Sequence, residues 1–137
     1  VGFFTLPLCY RFERVQTIEN NSVAVADLET ILNENRIENC HVWGLDLSSA
    51  LQEARRRSSR FDLLLIDPPR TGLPKETVEA IARLDSQAFV YVSCDPATLA
   101  RDMKILRSSG YELMSLDLLD LFPQTHHLET VARLRKP

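Results

Sequence analysis

Apolar runs alternate with helix-spaced apolar positions along the whole chain. The pattern predicts a helix over Thr5–Phe12, a short strand over Val15–Glu19 and a helix over Ser22–Asn35, where Val23, Leu28, Ile31 and Leu32 share one face. A strand over His41–Leu45 and a helix over Leu47–Ser58 come next. Two continuous apolar runs, Phe61–Asp67 and Ala88–Cys94, read as strands buried on both faces. Between them Pro74–Leu84 reads as a helix with proline in its first turn. Pro96–Ser109 reads as a helix stopped by an αL cap at Gly110. Tyr111–Leu116 and Thr130–Arg135 close the chain as strands, the last with the alternation of an antiparallel pair. This order predicts an α/β fold in one domain over residues 1–137, with a mostly parallel sheet covered by helices on both faces and an antiparallel final strand. The opening Val-Gly-Phe stands at the start of a helix without the strand that normally precedes a glycine-bearing nucleotide loop. The first strand is therefore expected to be missing and the domain N-terminally incomplete.

Composition narrows the class. The chain has 137 residues, 45% hydrophobic and 26% charged, as a soluble globular domain has. No apolar run approaches the ~18 residues of a membrane span, and the first residues lack the basic leader of a signal peptide. Cys9, Cys40 and Cys94 show no CxxC spacing. Free thiols in a cytoplasmic protein are expected, with neither a disulfide scaffold nor a zinc site. The formal net charge of −3 does not suit a domain that grips nucleic acid unaided. A nucleic-acid substrate would have to be held by a local patch or by parts outside the chain.

Ligands of parallel α/β sheets sit at the carboxyl ends of the strands, where Glu19, Asp67 and Cys94 all fall. Cys94 precedes Asp95-Pro96, where a helix begins, so its thiol lies in the positive field of a helix N-terminus. A lone cysteine is more often a small buried hydrophobe, the role also assigned to Cys9 and Cys40. Asp67 opens Asp-Pro-Pro-Arg-Thr-Gly-Leu, a stiff loop in which Arg70 suits a phosphate or carboxylate. The bland alternative is a rigid turn with Asp67 as a cap. Glu19 suits ribose hydroxyls or, equally, a turn acid. His126 and His127 are neighbours on an extended chain and point apart, so no metal is expected there. Glu129 is a candidate general base or an edge charge. Arg55, Arg56, Arg57 and Arg60 read as a solvated face.

Together, GFFTLPL, DPPRTGL, YVSCDPATLARD and DLFPQTHHLET resemble the RNA uracil-5 methyltransferase family, the 5-methyluridine synthases of tRNA and ribosomal RNA, in order and separation. The wording is nearer the ribosomal branch. The resemblance implies a Rossmann-like methyltransferase sheet, S-adenosylmethionine near Gly2 and Phe3, a cofactor contact from Glu19, an active-site role for Asp67 in catalysis and in cofactor binding, Cys94 as nucleophile and Glu129 as base. It also implies an RNA substrate, 23S ribosomal RNA foremost, with Arg70 and Arg101 near the active face as RNA contacts. Two departures stand out: Asp95 replaces the family's usual Asn, and the strand with its D-x-Y-C-G motif is absent. Two other readings remain open from sequence: an amino-group methyltransferase, against which Arg70 counts by replacing the aromatic of its [DN]-P-P motif, and a non-catalytic RNA-binding domain with the same fold.

Overall fold

Local side-chain chemistry sets the ends of several elements. In the computed structural model, which describes residues 1–121, 123–125 and 128–137, the chain divides into two compact units, Val1–Ala54 and Arg55–Pro137.

The first unit holds α1 (Thr5–Cys9), β1 (Val15–Ile18), α2 (Ser22–Glu34) and β2 (Cys40–Trp43), and α3 (Leu47–Arg56) begins in it. Helix α1 stops short of the predicted Phe12. The Asn39 side-chain amide donates to the Cys9 and Phe12 carbonyls at 2.8 Å each, capturing backbone acceptors that a longer helix would keep. Asn21 caps α2, its Oδ1 accepting the Val23 and Ala24 N–H groups at 2.9 and 3.1 Å. Strands β1 and β2 pair in parallel from Val15↔Cys40 to Ile18↔Trp43. Cys9, Val15, Leu28 and Leu32 form the core, with Cys40 and Val42 packed against it.

The second unit holds β3 (Arg60–Ile66), α4 (Lys75–Ala82), β4 (Asp85–Ser93), α5 (Pro96–Ser108), β5 (Glu112–Leu119) and β6 (Glu129–Arg135). Its sheet order is β3-β4-β6-β5; β3 pairs with β4 in parallel, and β6 is antiparallel to both β4 and β5. The antiparallel final strand is as expected. Phe89 and Tyr91 on the inner strand β4 are almost fully buried, as are Leu99 and Leu106 of α5, Tyr111, Ala132 and Leu134. Each large apolar side chain buried in this way contributes about 1.5–3 kcal/mol.

Several expectations need correction. The described strands form a two-stranded sheet, β1-β2, and a four-stranded one, β3-β4-β6-β5. Strand β3 has only half-buried or exposed residues, although its apolar run predicts burial on both faces. Pro74 is the N-cap of α4, with ψ 144°, and not a residue of its first turn. Pro96 does take that first-turn place, in α5. Strand β5 runs on to Leu119 because β6 pairs with it as far as Glu129. No helix among the described residues is long and apolar enough to cross a membrane.

Candidate active site

Strand β4 ends at Ser93, whose hydroxyl shapes the turn into α5. Ser93 Oγ donates to the Asp95 carbonyl at 2.9 Å and accepts the Asp95 N–H at 3.1 Å, which holds half-buried Cys94 in a bend. Asp95 then caps α5, its Oδ1 accepting the Thr98 N–H at 2.8 Å. Asn caps a helix about as well as Asp, so replacing the family's Asn preserves the turn. That N–H holds the Asp95 carboxyl below the usual carboxylate range, and the Arg70 charge adds to the effect. The Arg70 charge is thus felt at the turn that follows Cys94.

The sheet register brings the other residues to that end. Ile66 pairs with Tyr91 and Ser93 with Thr130. Asp67 directly follows β3, Cys94 directly follows β4, and Glu129 is the first residue of β6. The carboxyl ends of β3 and β4 and the amino end of antiparallel β6 thus share one sheet edge. Electrostatics reports the same proximity: the Asp67 side chain reaches solvent, yet the protein packed about it and then the Glu129 charge push its pKa up.

This shift has a testable sign. A carboxyl with a raised folded pKa binds its proton more tightly folded than unfolded, so its stabilising effect is lost as pH rises through the folded pKa. Asp67→Asn is expected to hold or raise the melting temperature near neutral pH relative to the parent, with a smaller difference at about pH 4, where unfolded carboxyls begin to protonate. A clear drop in melting temperature at neutral pH would contradict the geometry described.

In the first unit Gly2 has φ +75°, and a Cβ there would lie 3.0 Å from Leu28 Cδ1, so the backbone needs glycine twice over. The adjacent Phe3 ring is 82% exposed. Glu19 comes directly after β1, where its Oε1 accepts the Asn21 N–H at 2.8 Å. The turn-acid role is therefore real for one oxygen, and a diol would fall to Oε2.

Arg101, expected as an RNA contact, has a side chain that is 53% exposed and also paired within the chain. Its Nε donates to Asp102 at 2.8 Å and its Nη2 to the Leu73 carbonyl at 2.9 Å. Sequence reasoning also misses Asp102, which is completely buried. The signal is present in the chain: Asp102 stands on the apolar face of α5 between Leu99 and Leu106, where an unpartnered acid does not survive. His126 and His127 lie outside the described residues, as does Phe122; among the described residues no cluster of three metal-ligating side chains occurs.

Nor are Cys9 and Cys40 isolated from anything reactive, as their sequence positions suggest. Burial, and then the neighbouring Cys40 thiol, push the Cys9 thiol up to about 11. Cys9 is expected to alkylate more slowly than Cys40 and Cys94 at mildly alkaline pH, read by mass spectrometry of iodoacetamide-treated protein. Equal rates would contradict this environment.

An α/β sheet with a thiol and two carboxylates at its strand ends is the arrangement of a class of enzymes, and the likeness to solved structures agrees on the fold. The chain matches an rRNA methylase from Streptococcus thermophilus at TM-score 0.73 over 98% of its length, at only 14% identity, which establishes the methyltransferase fold alone. The sequence pattern of the tRNA (Uracil-5-)-methyltransferase family matches residues 1–137, and the chain belongs to that family. It is 41% identical over 132 residues to the 23S rRNA (uracil(1939)-C(5))-methyltransferase RlmD of Pseudomonas entomophila, covering 96% of this chain and 29% of that protein. It is 38% identical to an uncharacterized RNA methyltransferase of Thermotoga maritima, over 99% of this chain and 30% of the relative. The crystal structure of Pyrococcus abyssi tRNA (uracil-54, C5)-methyltransferase in complex with S-adenosyl-L-homocysteine is similar at TM-score 0.79 and 32% identity, covering 97% of this chain and 31% of that one. The chain thus spans about 30% of the length of the curated relatives it matches.

Proposed function

We propose that this chain carries the chemistry of methyl transfer to carbon 5 of a uridine in RNA, with Cys94 as nucleophile and Glu129 as base. The observation that carries the reading is the shared sheet edge of Asp67, Cys94 and Glu129, with Asp67 responding to the Glu129 charge. The cysteine-dependent reading is favoured over an amino-group methyltransferase, which needs no thiol, and over a non-catalytic domain, which needs no such convergence.

Carbon 5 of uracil is a weak nucleophile. The Cys94 thiolate adds to carbon 6, and the ring becomes an enolate whose carbon 5 is electron-rich. S-adenosylmethionine, when bound, supplies an electrophilic methyl group for that carbon. Glu129 then removes the remaining carbon-5 proton, the ring double bond re-forms and the carbon–sulfur bond breaks, returning the thiolate. Asp67 is assigned either to hydrogen-bond the uracil edge or to orient the cofactor. Gly2, Phe3 and Glu19 are assigned to the cofactor: a side-chain-free backbone cradle, an exposed ring for a nucleobase face and a carboxylate for ribose hydroxyls, a set that fits a nucleoside.

Extruding the base costs a few kcal/mol unless it already lies in a loop. With a net charge of −3, this chain contributes little bulk electrostatic grip, so Arg70, whose charge reaches Asp95, is assigned a local RNA contact. Ribosomal RNA of the 23S type is the substrate favoured by identity to the curated relatives, in keeping with a reducing cytoplasmic setting for three free thiols.

The test uses the protein at its natural length with RNA bearing 5-fluorouridine, which cannot lose its carbon-5 substituent as a proton. A covalent protein–RNA species on 23S transcripts supports the assignment, and its absence at every uridine despite bound cofactor refutes it. A species formed only with tRNA transfers the substrate to that branch.

A further inference from the structure

The loop that carries Asp67 and Arg70 has no secondary structure to hold it, yet it is bound to α5 by a dense set of contacts. The Asp102 carboxylate stands at their centre, 0% exposed. It accepts the Tyr91 hydroxyl at 2.6 Å, Arg101 Nε at 2.8 Å and the Leu73 N–H at 3.3 Å. Arg101 completes the ring by donating to the Leu73 carbonyl at 2.9 Å and the Thr71 carbonyl at 3.4 Å. The loop closes on itself where the Gly72 N–H donates to the Pro69 carbonyl at 2.8 Å. Gly72 has φ +68°, and a Cβ there would fall 2.5 Å from Arg101 Nη2 and 3.1 Å from Asp102 Oδ2. The turn is therefore built around the guanidinium and leaves no room for a side chain.

Three elements meet in this ring: β4 through Tyr91, three residues before Cys94; α5 through Arg101 and Asp102, two turns after it; and the loop through Thr71 and Leu73. Burial, with the adjoining carboxylate, pushes the Tyr91 hydroxyl well above its ordinary range, so it stays a donor at every pH of interest. A carboxylate with three donors and no water around it has a single low-energy arrangement. Arg101 is suited to this because its rigid fork serves a carboxylate and a carbonyl together, which a lysine ammonium does less well.

We propose that Asp102, Arg101 and Tyr91 are the positioning residues of this active site, fixing the loop of Asp67 and Arg70 in register with Cys94 without touching substrate. The proposal rests on the methyltransferase reading above. It also moves Arg101 from RNA contact to internal support.

The two roles of Arg101 separate in kinetics. A positioning residue acts on reacting geometry, where a displacement of about 1 Å costs ~10²-fold in rate. A phosphate ligand acts on RNA affinity and on its salt dependence. The experiment measures kcat, RNA KM, the salt slope of RNA binding and melting temperature for Arg101→Ala, Arg101→Lys, Tyr91→Phe and Gly72→Ala in the natural-length protein. Expected are a kcat loss of ~10²-fold for Arg101→Ala, an RNA KM and salt slope near the parent's, and partial recovery in Arg101→Lys. Gly72→Ala should behave like Arg101→Ala, since it displaces the guanidinium without removing it. If Arg101→Ala does not fold, Tyr91→Phe and Arg101→Lys, each of which keeps the buried charge pair, supply the same comparison. A raised KM and shallower salt slope at unchanged kcat would overturn the proposal. Activity that falls only in step with the folded fraction would overturn it too. A parent protein that neither methylates RNA nor forms the 5-fluorouridine adduct refutes the underlying reading, whereas an active parent with variants of unchanged kcat refutes only the positioning role.

Discussion

Cys94→Ala is expected to abolish methyl transfer, with a loss on the order of 10⁴-fold or more, the scale seen when a covalent nucleophile is removed. The reason is chemical: without a thiolate on carbon 6, carbon 5 stays a poor partner for any methyl donor. Stability should change little, because Cys94 is only half-buried and sits in a bend held by Ser93 and Asp95 rather than by its own thiol. Glu129→Gln should act at a later step. Loss of a general base costs typically about 10²–10⁴-fold, and here it should stall release, so that a covalent protein–RNA species accumulates with ordinary uridine. Gel mobility under denaturing conditions distinguishes the two variants: no adduct for Cys94→Ala, a persistent adduct for Glu129→Gln. An active Cys94→Ala enzyme would end the covalent mechanism.

Phe89→Ala is expected to cost about 3–5 kcal/mol, the range for truncating a buried aromatic. Phe89 is 1% exposed on the inner strand β4, pairs with Leu64 and Leu134 across its two neighbours, and sets its ring edge-on to Tyr111 at 5.6 Å between centroids. The cavity would open at the centre of the second unit, where β4 and β6 are held in register and cannot close in. Against a total stability of about 5–15 kcal/mol for a typical domain, this loss is a large fraction. Urea unfolding should show a lower midpoint with an unchanged slope. A midpoint within error of the parent's would mean that the β4 core carries much less of the fold than its burial indicates.

Most elements are legible in the sequence because their signals are local. A strand needs an apolar run, a helix a period and a cap, and Asn21, Asp95 and Pro96 supply those at the ends of α2 and α5. Errors arise where neighbours decide. The run of β3 reads as doubly buried, but its residues are half-buried or exposed, because burial is set by what packs on a strand and not by the run itself. The end of β5 depends on how far β6 pairs with it. Cys9 and Cys40 meet only because α1 packs against the start of β2.

The site divides in the same way. Sequence alone singled out the candidate groups, since Cys94 before a helix start, the Asp67 loop and the Glu129 segment form a specific set of motifs, and it determined the turn around Cys94 through the capping chemistry of Asp95. Tertiary structure decided which groups share a sheet edge, that burial and then the Glu129 charge raise the Asp67 pKa, and that the half-exposed Arg101 pairs with Asp102 and the Leu73 carbonyl. The physical reason is one of range. Caps and periods act within a turn or two of chain, whereas strand order and the pairing of a buried charge are set by contacts between segments far apart in sequence, so residue spacing carries no record of them.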